Sequence, residues 1–442
     1  MLVVNAWLCK INENKVAPVF CDFLVEDGKI KKIIEKDFNE YPNNPSQEND
    51  PDIFDVNGAV ITIPNVNFHE HIYSRLAKGI PINGPMDNFL NILRNLWWKL
   101  DLALDQEMVE ACAHMTAYES IKNGVQYIFD HHSSPNFTVG SLNCIKEILQ
   151  HYNLKGVLSF ETSDRNGDKL KEEALRENET FIKKQSSENH RGMFGLHASF
   201  TVDDSTLSQV SGFLNNSDIG IHIHLCEDDV DNTLSVNRYG ARPAERIKKH
   251  NLLNRKSILA HAIHLSNADF EILKNSDCAI AINIESNQNN AVGLPMISNF
   301  PDEVKILIGT DGMHANVAKS LKQLFLILRK QGVSFEQAFR ILNKVYFDQI
   351  NFVKQYFPEY TSLKVNDKAD FIVWDYVPPT PLTSDNFLSH YIYGVVERNV
   401  EASFCDGRFL MNNFTINIPQ DKKIERLINE NGYKLYSLMK EK

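Results

Sequence analysis

Two histidines one residue apart, His69 and His71 in "IPNVNFHEHIYSRLAKG" (63 to 79), close a run of alternating apolar residues. On a strand, residues i and i+2 share a face, so both imidazoles would leave the strand end in the same direction. Neutral imidazole is the commonest protein ligand for zinc and related ions, and two on one edge supply half of a four-ligand shell. Alone, the pair fits two hydrogen-bonded loop histidines just as well, so the rest of the chain has to decide.

The rest of the chain repeats the theme. "VQYIFDHH" (125 to 132) ends in Asp130, His131 and His132, and "MFGLHASF" (193 to 200) carries His197. "IGIHIHLCE" (219 to 227) carries His222, His224 and Glu227; "SILAHAI" (257 to 263) carries His261, with His264 just beyond; "VKILIGTDG" (304 to 312) ends in Asp311. A hydrolytic mononuclear site needs three or four N/O ligands and an open position for a water whose pKa the ion lowers to about 7. His69, His71, a third histidine and the anionic Asp311 would make that shell. Glu227, three residues after His224, is placed to move a proton to the substrate as a tetrahedral intermediate forms. His261 would orient the attacking water or stabilise the oxyanion.

These residues need elements to position them. Eight short β-type runs begin near residues 59, 125, 156, 193, 219, 257, 278 and 304, with helical periodicity between them, as in "DQEMVEACAHMTAYESIKNG" and "ARPAERIKKHNLL". That alternation predicts a (β/α)8 TIM-type barrel over 59 to 364, although a doubly wound sheet shares it. In the barrel, catalysis sits at the C-terminal ends of the strands, where the ionisable residues fall here. Residues 1 to 58 and 365 to 442 have the texture of short strands and turns, which predicts one small β-sandwich built from both ends. "YPNNPSQENDPD" (41 to 52) reads as a polar loop, and the amphipathic tail "KKIERLINENGYKLYSLMKEK" as a surface helix.

Composition narrows the function classes. The chain has 442 residues and a net charge of -11, with no basic block to track a phosphate backbone, so nucleic acid is not expected as a partner. No apolar run reaches the ~20 residues that span a membrane. Seven scattered cysteines without a C-x-x-C spacing point to reduced thiols in a cytoplasmic protein.

With these landmarks in place the sequence resembles the aminohydrolase branch, deaminases and chlorohydrolases, of the amidohydrolase superfamily. The likeness lies in "HEH" (69 to 71), "HLCE" (224 to 227), "AHAIHL" (260 to 265) and "GTDG" (309 to 312). "NLWWKLDLALD" (95 to 105), "DHHSSP" (130 to 135), "FETSDRNG" (160 to 167) and "PPTPLTSDN" (378 to 386) are similar to the subgroup of aminohydrolases called SsnA.

The resemblance implies that His69, His71, His224 and Asp311 hold one divalent ion, zinc or iron. It implies that Glu227 and His261 serve in proton transfer and water orientation, that Asp311 doubles as the base, and that His197 contacts substrate. His197 also stands where binuclear relatives carry a lysine. The implied reaction is hydrolytic deamination of a purine-, pyrimidine-, pterin- or triazine-like small molecule. Hydrolysis of a C–Cl or cyclic amide bond is the alternative on the same scaffold. A non-catalytic accessory protein of cofactor or selenium-linked metabolism is the alternative of another class. Relatives are often homo-oligomers.

One element departs from the family. Where relatives read "HNP.SN" after strand seven, this chain reads "INIESNQNN" (282 to 290), with Ile282 in the histidine's place. Arg75, at the start of the first βα loop, is a further substrate-binding candidate, while Trp97 and Trp98 read as core or subunit contact. His222 reads as a deeper hydrogen-bonded residue, His264 as structural, and Cys226 as apolar packing.

Overall fold

A computed structural model describes residues 1–38, 52–215, 217–418 and 421–441. The polar stretch read as a loop over 41 to 52 lies, apart from Asp52, outside the described residues. The chain opens with three antiparallel strands, β1 (Leu2–Asn12), β2 (Lys15–Glu26) and β3 (Lys29–Glu35). Two short strands, β4 (Ile53–Asp55) and β5 (Val60–Thr62), then pair with β1 in parallel.

The next strands form the barrel. β6 (Asn65–Glu70), β7 (Val125–His132), β8 (Lys155–Phe160) and β9 (His190–Gly192) make one parallel arc. β10 (Phe194–Ala198), β11 (Ile221–Leu225), β12 (Ile258–His261), β13 (Ala279–Ile282) and β14 (Lys305–Ile308) make the other. Backbone hydrogen bonds join the arcs at both seams. Thr162 N donates to Gly195 O at 3.1 Å and His197 N to Thr162 O at 3.0 Å; across the ring, Thr310 N and Asp311 N donate to His69 O at 3.0 and 2.9 Å. With β9 and β10 sharing one position, the ring is a (β/α)8 barrel of TIM type.

Strands such as "AIAI" of β13 are buried on both faces, which is why they read as continuous apolar runs. Alternation still shows at the first strand. His69 points to the barrel interior, whereas Phe68 packs outward on Phe129 and Phe352 at ring distances of 5.0 and 5.8 Å. The single apolar run read over 59 to 71 divides into β5 of the outer sheet and β6 of the barrel. Pro64 lies between them and has no N–H to continue a ladder.

After the barrel come β15 (Phe371–Trp374), β16 (Val400–Cys405), β17 (Arg408–Asn412) and β18 (Thr415–Ile416), which complete a nine-stranded sheet with β1 to β5. β2 and β15 are separated by two strands, about 14 Å in a flat sheet. Yet Phe23 and Phe371 lie edge to face at 5.7 Å, so the sheet curls until its halves enclose a core. The tail forms the helix Lys422–Glu441, which buries Leu435 and Met439. It lies along the barrel helix Gln106–Lys122, with Lys434 paired to Asp105, the N-cap of that helix. No helix among the described residues is long and apolar enough to cross a membrane.

Candidate active site

Three strand ends, those of β6, β11 and β14, deliver four ligand-type atoms to one point. His71 Nε2 lies 3.2 Å from His224 Nε2 and 2.9 Å from Asp311 Oδ1, and His69 Nε2 lies 3.6 Å from the same oxygen. Each ring is turned by a bond on its far edge. His71 Nδ1 donates to the backbone oxygen of His131 at 2.5 Å, and His69 Nδ1 meets His222 Nε2 at 2.9 Å. Such outer partners fix which nitrogen keeps its lone pair for the centre. Gly309 makes the approach of β14 possible, since a Cβ there would fall 2.6 Å from His69 Cβ and 2.3 Å from Asn283 Oδ1.

The donor set fits a cation. His69, His71, His131 and His224 offer nitrogens within 4.8 Å of one another, and His69 Nε2 is buried without a hydrogen-bond partner. Burial pulls His69 down to about 3, and burial with the surrounding imidazoles pulls His224 well below its ordinary range. Asp311 behaves oppositely: burial would raise it, but the His71 and His69 imidazoles beside it hold it well below the usual carboxylate range. Burial would likewise lower His71, but Asp311 and Glu161 outweigh it and push it up. A positive charge is therefore favoured where these atoms meet, and His69, His71, His224 and Asp311 have the geometry to hold a divalent ion.

Beside this point sit the other sequence-derived candidates. His261 Nε2 is 3.5 Å from Glu227 Oε2, and burial pushes Glu227 up to about 7. The backbone takes left-handed φ values at Cys226 (49°), His261 (73°) and Asp311 (55°), at the exits of β11, β12 and β14. Non-glycine residues there cost of order 1–3 kcal/mol each, and such strain persists where the surroundings fix it. Cys226 itself is buried packing next to Glu227.

The helix Ile284–Asn289, formed by the departed "INIESNQNN" segment, touches each of these groups. Ser286 Oγ donates to Asp311 Oδ2, Asn287 Oδ1 accepts from His261 Nδ1 at 2.8 Å, and Asn290 Nδ2 donates to Glu227 Oε1 at 3.4 Å. From the sequence the segment reads as altered substrate recognition or a partly degraded site; its run of polar residues was the available signal for these contacts.

A cavity opens over the centre, with His71, His224, Glu227, His261 and Asp311 at its floor and Phe89, Leu93, Trp97, Trp98 and Phe200 along its walls. His197 lines it too. Its Nδ1 lies 2.7 Å from Thr201 Oγ1, whose own hydrogen goes to Ala198 O, so Nδ1 is the donor and Nε2 keeps a lone pair. Trp97 and Trp98, read as core or subunit contacts, are cavity walls, and Arg165 lies over the Trp98 ring at 5.4 Å.

Glu161, at the end of β8, was missed although it occupies a strand-end position. Its Oε1 is 3.5 Å from His71 Nδ1 and 3.6 Å from His131 Nδ1. Arg75 is a correction: it is fully buried, pairs with Glu70 and Glu119, and does not line the cavity. A buried guanidinium paired with two carboxylates is held away from the cavity. His222 lies one layer under His69, and His264 Nε2 bonds Val292 O at 2.8 Å.

The model of the amidohydrolase family matches residues 61–410. A 5'-deoxyadenosine deaminase of Methanobrevibacter smithii is 25% identical over 419 residues, covering 91% of this chain and 90% of that protein. Among solved structures, an adenosine deaminase from Xanthomonas campestris with bound zinc has a TM-score of 0.81 at 15% identity, covering 99% of this chain and 98% of that one. An atrazine chlorohydrolase from Arthrobacter aurescens complexed with zinc has a TM-score of 0.76 at 16% identity, covering 98% and 99%. At those identities the likeness to solved structures is one of fold.

Proposed function

The chain belongs to the amidohydrolase family, and from that premise we propose that it is a metal-dependent aminohydrolase releasing ammonia from an amino-substituted heterocycle. The observation that carries this reading is the meeting of His69, His71, His224 and Asp311 beside a Glu227–His261 pair on the floor of an aromatic-walled cavity. One divalent ion, zinc or iron, would be held by those four ligands and would lower the pKa of a water to about 7.

The chain's own residues do the rest. Asp311 Oδ2, held by Ser286, takes the proton of the attacking water. Glu227, raised to about 7, delivers a proton to the ring nitrogen next to the attacked carbon, so that the ring loses aromaticity without building negative charge. His261 Nε2 faces the same space and, with its lone pair, accepts a hydrogen from the attacking water and orients it. The amino group leaves as ammonia once protonated, and the carbon keeps the water's oxygen as a carbonyl. Trp97, Trp98 and Phe200 flank a flat ring, and His197 Nε2 accepts a substrate N–H. The 5'-deoxyadenosine deaminase relative makes 6-aminopurine nucleosides the first compounds to test, ahead of pyrimidines, pterins and triazines.

The test is an ammonia-release screen of a heterocycle set with zinc- or iron-reconstituted protein, with chloride followed in parallel on chlorinated rings. Ammonia without chloride is the expected result. Asp311→Asn is expected to lose bound metal and to lower turnover at least ~10³-fold, given that a positioned proton-transfer group alone contributes 10²–10⁴-fold. Full metal content and full turnover in that variant would overturn the assignment.

A further inference from the structure

The Ile284–Asn289 helix and its C-cap Asn290 follow the departure at Ile282, and together they reach every group read above as handling a proton. Ser286, Asn287 and Asn290 stand at i, i+1 and i+4, so their side chains lie along one side of a single turn. Asn287 is fully buried, and its own N–H is bound to Asn283 O at 2.9 Å, which fixes the turn from which its side chain reaches His261. The amide oxygen at 2.8 Å from His261 Nδ1 has only lone pairs to offer, so that nitrogen must carry the hydrogen. The other amide within reach, Asn283 Nδ2, stands farther off at 3.4 Å. Nε2 then keeps its lone pair toward Glu227 Oε2 and the cavity floor.

We propose that Asn287 is a positioning residue that fixes His261 as the Nδ1–H tautomer, while Asn290 on the same turn holds Glu227 opposite it. This rests on the reading of Glu227 and His261 as the proton-transfer pair, but its structural half stands apart from turnover. A turn that grips both members keeps their separation when the cavity fills, which neither strand end does alone. Ser286 and Asn287 match the "SN" of the family's "HNP.SN", whereas Asn290 lies beyond that motif.

The experiment uses zinc-loaded protein labelled with 15N in histidine, with the His261 signals identified through His261→Gln. Wild type is expected to show His261 protonated at Nδ1 and bare at Nε2. Asn287→Ala is expected to mix or invert the tautomers and to lower kcat about 10²-fold, with KM within threefold and zinc content unchanged. Asn287→Asp, which keeps an acceptor oxygen, should retain the Nδ1–H signal. Asn290→Ala should leave that signal in place and lower kcat while shifting the pH profile. An Nε2–H tautomer in wild type, or an unchanged tautomer and a kcat within twofold in Asn287→Ala, overturns the proposal. The wild-type spectrum decides even if the alanine variant fails to fold. If no heterocycle releases ammonia, the deaminase reading falls while the tautomer comparison still decides this one.

Discussion

Two buried polar clusters sit at opposite ends of the barrel, and they differ in how completely their atoms are paired. At the base, Lys155 opens β8 and places its Nζ 2.9 Å from Asp370 Oδ2, 3.2 Å from Asp406 Oδ2 and 3.2 Å from Tyr127 Oη. Asp370 uses its second oxygen on Asp406 N at 2.8 Å, which completes the set. At the mouth, His69 Nε2, His131 Nδ1, His132 Nδ1, His222 Nδ1 and Glu161 Oε1 are buried with no hydrogen-bond partner. Lys155 and Asp370 are as buried as the mouth histidines, so burial alone does not separate the two clusters. A closed set of bonds serves the fold, whereas orphaned donors and acceptors at strand ends mark the place where something else must bind.

The largest expected effect breaks the base. Lys155→Met leaves Asp370 charged and buried without its partner, and a broken buried pair costs about 3–5 kcal/mol. Urea denaturation should show that loss, while zinc content and ammonia release per folded molecule stay at wild-type values. A loss below about 1 kcal/mol would mean that the base cluster is no more structural than a surface pair.

The converse experiment perturbs the mouth. Stripping the ion with a chelator should abolish turnover and lower Tm, and zinc restored at a hundredfold excess over its Kd should return about 2.7 kcal/mol of stability. The same increment should appear in Lys155→Met, since the two clusters share no side chain. Calorimetry with and without zinc measures both; an increment that changes with the Lys155 substitution would couple the two ends and blur the distinction between them.

The mouth was far more legible in the sequence than the base, for physical reasons. Strand-end histidines recur at a spacing that a barrel folds onto one rim, so His69, His71, His224, His261 and Asp311 stood out. Lys155 is separated from Asp370 and Asp406 by 215 and 251 positions and carries no local pattern with them, because a salt bridge needs only proximity in space. Arg75 misled because a cation beside a loop reads as exposed, while Glu70 and Glu119 reach it from a strand and a helix. Pro64 was the visible sign that the run over 59 to 71 breaks, and it was passed over within an otherwise continuous apolar stretch. The Ile284–Asn289 helix is too short and too polar to show a hydrophobic period.

The smallest expected effect separates the two clusters by pH. At Asp406, burial would raise the carboxyl, but Lys155 and Lys368 outweigh it and hold it below its ordinary value. A depressed carboxyl contributes stability that is present above the unfolded value near 3.9 and lost as pH falls through the folded one. The Tm difference between wild type and Asp406→Asn should therefore be constant from pH 7 to 5 and shrink below pH 4. Its size should stay under about 1 kcal/mol, because the Asp406 side chain keeps 27% exposure. The mouth behaves otherwise. His69 and His132 are held down to about 3 by burial, so each binds more proton unfolded than folded from about pH 6.5 downward, while Glu227 and Glu161, pushed up to about 7, work the other way. Acid should thus weaken the molecule first through its imidazole-rich mouth and only later through the paired base, and a Tm difference that already closes near pH 6 would remove this distinction.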